Sequence, residues 1–347
     1  MSTAAVPTKP WAKSPQDRIL GLTFFLAAIL FSYFFVAATE LKGKLAYAFI
    51  FFVAYAVITS THSFMIRGPQ AAKDSFVSTL VALGAVATVT PIASILFTVV
   101  KNGAPGLHPG ILSNDMSMAA ATDPIASGGV LHAITGTLTM VVLALLMSVP
   151  IGILTALYLT EVRGKFAGPV RFLVQAMSGV PSIVAGLFVL SAVIYPITKG
   201  YSALMGAMAL TILMIPTIAR TSEEVLLLIP NDLREAGTAL GGTQWRTVAM
   251  IVVPAARSGL VTAIILGVAR IAGETAPLLL LTGGGDKVNP NPFSGSVGSL
   301  PYYIWKGFNS GSSDALTRAW AGLLVLMIVV LILFVAARAL SNRKMSK

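Results

Sequence analysis

Arg270 and Glu274 are two ionisable residues four positions apart in an otherwise apolar run. On a continuous helix this spacing places both side chains on one face, where they can pair. An arginine guanidinium donates paired hydrogen bonds to a tetrahedral oxyanion, and Glu274 could hold the guanidinium until an anion arrives. Ionisable residues at bilayer depth usually line a bundle interior or a wet pathway. The pair is therefore a candidate anion site, and an ion pair that only fixes helix packing is the alternative.

Arg220 is a second candidate for relaying an anion. It follows Pro216 at the end of another apolar run. Basic residues also concentrate on the cytoplasmic side of membrane proteins, so a plain cytoplasmic anchor is the alternative role. The residues alone leave both roles open.

Other kinds of chemistry lack the residues that they require. The chain has no cysteine, which excludes disulfides, thiolate nucleophiles and cysteine metal ligands. Its three histidines are scattered and do not have the H-x-x-x-H spacing of a zinc site. Gly237 and Gly242 have the spacing of a phosphate-binding loop, but Thr243 stands where that loop needs lysine. We therefore expect no catalytic residue, no metal and no cofactor in this chain, and ATP hydrolysis only in another protein.

The composition is typical of a membrane protein. Apolar residues make up 56% of the 347 residues and charged residues only 11%, with a mean hydropathy of +0.84. Soluble domains carry about 25% charged residues, so most of this surface must face lipid. The net charge of +11 does not indicate nucleic acid, because the basic residues flank apolar runs instead of clustering.

A helix that crosses a bilayer needs about 20 largely apolar residues. Eight runs of that length predict an all-α, polytopic membrane protein with about eight transmembrane helices. The first run is longer than the apolar core of a signal peptide, so we expect it to be retained. The predicted spans are Ile19–Thr39, Leu45–Ile66, Phe76–Val100, Leu131–Thr160, Val174–Ile197, Tyr201–Ala219, Ile251–Leu281 and Ala319–Leu340.

The distribution of basic residues predicts the orientation. With the N-terminus inside, the cytoplasmic segments contain 16 Lys and Arg residues and the outer segments contain 7, while Arg270 lies within a span. The positive-inside rule therefore places both termini in the cytoplasm. Two outer loops, at about 101–130 and 282–318, are rich in Gly, Pro, Asn and Ser and could either meet an extracytoplasmic partner or serve as connectors.

The segment between Arg220 and Ile251 is too polar to cross a bilayer and too short to form a domain. Thr221 or Ser222 is expected to cap a helix with glutamates in its first turn. Pro230 should end that helix, because proline lacks the backbone N–H and clashes with the preceding turn.

A second helix is expected after Pro230, capped by Asn231 or Asp232 and stopped by Gly241 in a left-handed conformation. Four small or apolar residues share one face of it at helical spacing. They are Leu233, Ala236, Gly237 and Leu240. A docking element is one interpretation, and an amphipathic connector on the lipid headgroups is the other.

The spacing of this segment resembles the EAA loop of the permease subunits of binding-protein-dependent ABC importers. The residues that carry the resemblance are Glu235, Ala236, Gly237, Gly241, Ile251 and Pro254. In that family the loop docks into a groove of the ATP-hydrolysing subunit, so the resemblance assigns ATPase coupling to Glu235, Ala236, Gly237 and Gly241. The chain departs from the pattern at Gly237, where alanine is usual, and at Val253, where leucine is usual.

Three further segments are similar to the permease of phosphate-specific transport systems, PstA type. They are Pro181–Val189, Ile218–Thr221 and Ala269–Leu279. The similarity covers about residues 128–340. It implies the fold of a type I ABC importer permease that translocates inorganic phosphate across a bacterial cytoplasmic membrane, with Arg270, Glu274 and Arg220 on the substrate pathway. A permease for another oxyanion, a secondary anion transporter and an assembly protein are the alternatives.

The resemblance also implies partners and a domain division. The expected complex contains a second permease as a heterodimer, two ATP-binding subunits that use ATP and magnesium, and an extracytoplasmic phosphate-binding protein. The family usually has six spans, so residues 1–75 are expected to form a cytoplasmic tail and an extra hairpin. Residues 76–345 are expected to form the permease domain, with a coupling loop at 220–250.

Overall fold

A computed structural model describes residues 15–120 and 122–342 of the chain. Its regular structure is helical throughout, and these residues contain no β-strand. Thirteen α-helices follow one another in the described residues. They are α1 (Pro15–Ala38), α2 (Lys44–Arg67), α3 (Pro69–Gly103), α4 (Leu131–Leu157), α5 (Ala167–Ser178), α6 (Ser182–Val189), α7 (Ala203–Leu227), α8 (Asn231–Ala239), α9 (Gln244–Thr247), α10 (Val253–Ile271), α11 (Ala276–Leu281), α12 (Leu300–Phe308) and α13 (Ser313–Asn342).

Three helices continue as short π-helical segments. Tyr158–Val162 extends α4, Leu190–Thr198 extends α6, and Val248–Val252 joins α9 to α10. Seven of the described helical stretches are long and apolar enough to cross a bilayer, and a bent pair formed by α5 and α6 makes an eighth if it is taken as one broken span. The predicted all-α membrane fold with about eight spans is confirmed.

The described chain divides into two compact units, at Leu96 and Phe97. In the first unit, α1 and α2 form the predicted hairpin and turn at Gly43, whose φ is +101°. Aromatic rings join the two helices: the ring centroids of Phe25 and Phe51 are 5.3 Å apart. The predicted domain boundary at residue 75 stays a prediction.

The core of the second unit lies where α4 and α10 pack against α7. Small residues allow this close approach. A Cβ atom on Gly152 of α4 would lie 2.7 Å from Cγ2 of Ile218, and one on Gly267 of α10 would lie 2.9 Å from Cε of Met214. Gly259 of α10 meets Val225 in the same way. These contacts make α7 the central helix, because it touches both of its neighbours along its length.

Two predicted spans are discontinuous. The span predicted at Val174–Ile197 is divided into α5 and α6, with a bend of 105° at residues 179–181. Pro181 disfavours the helical conformation of the residue before it, which explains the break. The span predicted at Ile251–Leu281 was wrong at both ends, because the spanning helix runs from Gln244 to Ile271 and α11 begins separately at Ala276. Apolar composition continues through both breaks, so hydropathy alone does not detect them.

Pro277 does not kink a continuous helix. It occupies the second position of α11, where a proline removes no intrahelical hydrogen bond. The cap predicted at Thr221 or Ser222 was also wrong, since α7 runs through both residues to Leu227 and Ser222 is fully buried. The second helix, α8, is confirmed, but Pro230 precedes it and no side chain caps it.

Candidate coupling and translocation site

Helix α8 ends in the left-handed turn expected from the sequence. Gly241 has φ +81°, and its N–H donates to the carbonyl of Thr238 at 2.9 Å. The N–H of Leu240 donates to the carbonyl of Ala236 at 3.1 Å. These bonds satisfy carbonyl groups at the end of the helix, so the chain can turn sharply towards α9.

Gly237 is the buried residue of α8. A Cβ atom there would lie 2.5 Å from Cγ2 of Thr247 and 2.9 Å from Cδ1 of Ile251. The helix therefore rests directly on the segment that leads into α10. Glycine stands at this position instead of the alanine that is usual in the EAA loop, because Thr247 and Ile251 occupy the space that a methyl group would need.

The other members of the predicted apolar face point outward. Leu240 is 88% exposed and Leu233 is 40% exposed, and Ala236 is exposed as well. Trp245 in α9 and Met250 in the π-helical segment that follows are also exposed. The single face predicted from spacing is thus divided: Gly237 packs inward, while the larger residues form an apolar surface that the described residues leave exposed.

Glu235 lies on the outer side of α8. In the part of the chain that the structure describes, its carboxylate makes no hydrogen bond and no ion pair. The neighbouring residue, Arg234, instead points towards the protein interior and forms the ion pair that holds the helix in place.

Arg234 forms a forked ion pair with Glu161 in the π-helical extension of α4. Its Nη2 atom lies 2.8 Å from Oε1 and its Nε atom lies 3.0 Å from Oε2. The Glu161 side chain is 6% exposed and that of Arg234 is 19% exposed. Hydrogen bonding to Glu161 raises the pKa of Arg234 above its ordinary value. The guanidinium is therefore charged at every physiological pH.

The same guanidinium also binds the end of α7. Its Nη1 atom donates to the carbonyl of Ile229 at 2.7 Å, and its Nη2 atom donates to that of Leu226 at 3.0 Å. Gln244, at the start of α9, donates from Nε2 to the carbonyl of Glu161 at 2.6 Å. The ends of α4, α7 and α8 and the start of α9 thus meet at one polar cluster.

A second ion pair joins α5 to α7. Arg171 donates from Nε and Nη2 to Oε1 of Glu223, at 3.0 and 2.8 Å. The Glu223 side chain is 6% exposed, whereas that of Arg171 is 46% exposed. This ion pair compensates the charge of Glu223. Helix α7 can therefore continue through Glu223 to Leu227, beyond the predicted end of the span at Ala219.

Sequence reasoning did not find either ion pair. Glu161 and Arg234 are 73 positions apart, and Arg171 and Glu223 are 52 apart. The sequence does show that Glu161 and Glu223 directly follow or interrupt apolar segments, where a carboxylate charge needs a positively charged partner. It does not show which residue that partner is.

Arg220 lies on α7, with its side chain 46% exposed. Its Nε atom is 3.9 Å from Oε1 of Glu224, which is one helical turn further along. This long, exposed contact contributes little to stability. Arg220 therefore keeps a guanidinium that an anion can reach.

Arg270 and Glu274 do not share a helix face. Helix α10 ends at Ile271, and Glu274 lies in the short connection before α11. Among the described residues, no ion pair joins them. Arg270 is exposed and Glu274 is partly exposed, so their assignment to a substrate pathway stays a prediction. The expectation that they pair along one helix was wrong, because the helix breaks between them.

Two of the three segments that carry the family resemblance meet in space. Gly186 of α6 lies against α11, and a Cβ atom on it would lie 2.8 Å from Cα of Pro277. The short helices on either side of two chain breaks therefore pack together. This contact fixes the connection that contains Glu274.

The two predicted outer loops are also joined. The N–H of Met116, in the first loop, donates to the carbonyl of Asp286, in the second loop, at 2.9 Å. Within the second loop, Nζ of Lys306 lies 2.6 Å from Oδ2 of Asp286. Arg318 is buried and donates to the carbonyls of residues 120, 123 and 124. The described loop residues thus form one ordered cap.

The described residues contain no group of three or more His, Cys, Asp or Glu side chains that could hold a metal ion. The polar clusters are instead ion pairs between helices and bonds to backbone carbonyls. Their arrangement is suited to holding helix ends together and to leaving α8 accessible.

The sequence profile of the family described as "Binding-protein-dependent transport system inner membrane component" matches residues 148–347. The phosphate transport system permease protein PstA 1 of Mycobacterium tuberculosis (strain CDC 1551 / Oshkosh) is 42% identical over 212 residues, which cover 61% of this chain and 70% of that protein. The phosphate transport system permease protein PstA of Pasteurella multocida (strain Pm70) is 37% identical over 253 residues, which cover 72% and 88%.

A solved structure shares the fold. It is the crystal structure of a bacterial alginate ABC transporter in complex with an alginate pentasaccharide-bound periplasmic protein, with a TM-score of 0.57 at 17% identity, covering 78% of this chain and 96% of that one. The family profile covers more than half of the chain, and the Pasteurella relative is matched over most of its length. The chain therefore belongs to the family of binding-protein-dependent transport system inner membrane components.

Proposed function

We propose that this chain is a permease subunit of an ATP-driven importer that carries inorganic phosphate across a bacterial cytoplasmic membrane. The observation that carries the proposal is 37% identity over 253 residues with a relative named as a phosphate transport permease, together with 42% identity to a second. The exposed face of α8 supports the same function, since an ATP-driven permease needs a surface for its motor subunit.

Uptake of radiolabelled phosphate tests the proposal. The chain is assembled with its partner subunits in proteoliposomes, with ATP inside and the binding protein outside. Phosphate should accumulate only with ATP present, and excess unlabelled phosphate should compete better than arsenate or molybdate. Accumulation that follows an ion gradient without ATP would instead indicate a secondary transporter, and better competition by another oxyanion would assign that substrate.

Helix α8 is the proposed contact of the ATP-binding subunits. Leu233, Ala236 and Leu240 provide an exposed apolar surface, Glu235 adds an unpaired carboxylate, and Gly241 allows the helix to end beside α9. Gly237 contributes by letting α8 lie close to Thr247. Desolvated apolar residues with a polar rim are typical of protein interfaces.

A Glu235→Lys variant tests this contact, with Glu224→Lys as the matched control because Glu224 is also exposed but lies on α7. The first variant should lose co-purification with the ATP-binding subunits, while the second should retain it. Normal co-purification and normal phosphate-stimulated ATP hydrolysis in Glu235→Lys would remove α8 from the interface.

Arg270, Glu274 and Arg220 are proposed to act on the substrate pathway. Among the residues that the structure describes, no buried partner neutralises any of the three charges, and guanidinium groups bind phosphate with paired hydrogen bonds. Arg270→Gln should abolish uptake at normal membrane abundance. Arg257→Gln, on the same helix, is the control and should transport normally. Wild-type uptake by Arg270→Gln would exclude a role in the pathway.

The proposed complex contains a second permease chain as a heterodimer, two ATP-binding subunits, which use ATP and magnesium, and an extracytoplasmic phosphate-binding protein. Both termini are proposed to lie in the cytoplasm. Because the chain has no cysteine, single cysteines can be introduced without background. A cysteine at residue 3 should be protected from an impermeant thiol reagent in intact cells, and one at residue 290 should react.

A further inference from the structure

The polar cluster around Arg234 is separate from the surface that α8 presents outward. The guanidinium is already bound to Glu161 and to the carbonyls of Leu226 and Ile229. Glu235, the next residue, is exposed. The donors of Arg234 are therefore already used by acceptors of this chain, so we assign it a role within the chain and not in binding another protein.

Arg234 is the one α8 side chain with a polar contact outside the α8 segment, within the described residues. Thr238 bonds to carbonyls of its own helix, at 2.9 and 3.3 Å. The second attachment of α8 is the contact of Gly237 with Thr247 and Ile251. The helix is thus held on one side by a charged fork and on the other by close packing.

The fork reaches two long helices at once. Glu161 belongs to the extension of α4, and Leu226 is within the last turn of α7. The last carbonyls of a helix have no intrahelical donor, and a cation near them is favoured by the helix dipole. Arg234 donates to a carbonyl at the end of α7 and places a positive charge there, and it also pairs with Glu161. The ends of α4 and α7 are therefore joined through a residue of α8.

We propose that the Arg234–Glu161 pair is a mechanical latch that makes α8 move together with the ends of α4 and α7. The inference rests on the proposed function, because it assumes that a motor subunit pushes on α8. Arg234 and Glu161 are positioning residues: they contact neither substrate nor ATP. Without the latch, α8 keeps its Gly237 contact and its two peptide connections, and the bond from Gln244 to the Glu161 carbonyl still ties the start of α9 to α4. Helix α8 itself can then tilt without moving α4.

The test uses the assembled transporter in proteoliposomes and measures phosphate transported per ATP hydrolysed. Arg234→Gln and Glu161→Gln should each keep the ATP-binding subunits and hydrolyse ATP, while the ratio falls about tenfold, which corresponds to about 1.4 kcal/mol of lost coupling. Arg234→Lys keeps the charge but loses the fork, so its ratio should be intermediate.

Arg163→Gln is the matched control. Arg163 lines the same cleft of about 530 Å³ beside α8, and its Nε atom donates to the carbonyl of Thr160 at 2.7 Å. Its ratio should equal that of the wild type. The exchange variant, Glu161→Arg with Arg234→Glu, restores the ion pair with the end of α4 but leaves the carbonyls of Leu226 and Ile229 without this donor. It should therefore recover part of the ratio lost by the single variants.

An unchanged ratio in both single variants would overturn the latch, and so would loss of ATP-binding subunits in Arg234→Gln alone, which would assign Arg234 to docking. If a single variant does not accumulate, the lysine and exchange variants decide: a lowered ratio in the first with recovery in the second supports the latch, and any other result overturns it. The proposed substrate is tested separately by the wild type. If that complex transports another anion, the same ratio is measured with that anion.

Discussion

Gly186 of α6 lies directly against Pro277 of α11, close enough that a Cβ atom would be 2.8 Å from the proline Cα and 3.1 Å from its Cβ. Both helices follow a break in an apolar segment, and α11 has only 6 residues. A helix of that length does not hold its position alone. Their mutual packing therefore positions the connection that includes Glu274.

Replacing Gly186 with leucine should separate α6 from α11. The two nearest atoms are Cα and Cβ of Pro277, which cannot move aside as the end of a flexible side chain can. Overpacking of this kind costs about 1–3 kcal/mol. We expect a lower melting temperature of the purified complex and reduced phosphate uptake. Gly168→Leu is the control, since nothing lies within 4 Å of a Cβ at that position. Equal melting temperatures for the two variants would contradict the packing argument.

A methyl group at Gly237 should push α8 away from Thr247 and Ile251. Gly237→Ala places a Cβ 2.5 Å from Cγ2 of Thr247 and should weaken coupling between ATP hydrolysis and uptake, with an apparent cost of about 1 kcal/mol. Thr247→Ala removes the opposing methyl group. The double variant should therefore couple better than Gly237→Ala alone. A double variant that is no better would show that Thr247 does not limit the space.

Removing Arg171 should destabilise the protein more than removing Arg220. Arg171→Ala leaves the buried carboxylate of Glu223 without its donor, at a cost of about 1–3 kcal/mol after allowance for the exposed arginine. Arg220→Ala breaks a 3.9 Å contact between exposed groups and should cost less than about 1 kcal/mol. Denaturation of the two purified variants measures the difference. A smaller loss for Arg171→Ala would mean that water or lipid headgroups compensate Glu223.

Tyr303 should make the outer cap sensitive to alkali. Burial raises the pKa of Tyr303 to about 12 from its ordinary value of 10.0. The folded state therefore holds the phenolic proton more tightly, so this contribution is complete below pH 10 and is lost as the pH rises towards 12. Tyr303→Phe should flatten that part of the stability profile, as measured by unfolding at graded pH. An unchanged slope in the variant would assign the alkaline loss to other groups.

Hydropathy predicted where the chain is apolar but not where its helices stop. Val174–Ile197 and Ile251–Leu281 were each taken as one span, yet the first bends at Pro181 and the second ends at Ile271. Apolar residues continue across both breaks. A bilayer accepts such interruptions where neighbouring helices satisfy the freed backbone groups, and that information is tertiary.

The polar connection shows what local patterns could predict and what they could not. Turn chemistry correctly predicted α8 and the left-handed Gly241. The inward side of α8 was not predicted, because Glu161, the partner of Arg234, is 73 positions earlier in the chain. Pairing of charges across that distance depends on how α4, α7 and α8 assemble. No local spacing in the sequence therefore predicts it.

The bonds from Arg318 to the carbonyls of residues 120, 123 and 124 have a kinetic consequence for the outer cap. A loop that is ordered during folding loses its conformational entropy then and not when another protein arrives. A visiting protein would therefore meet a preorganised surface, and its capture would be limited by diffusion and orientation rather than by rearrangement of the loop.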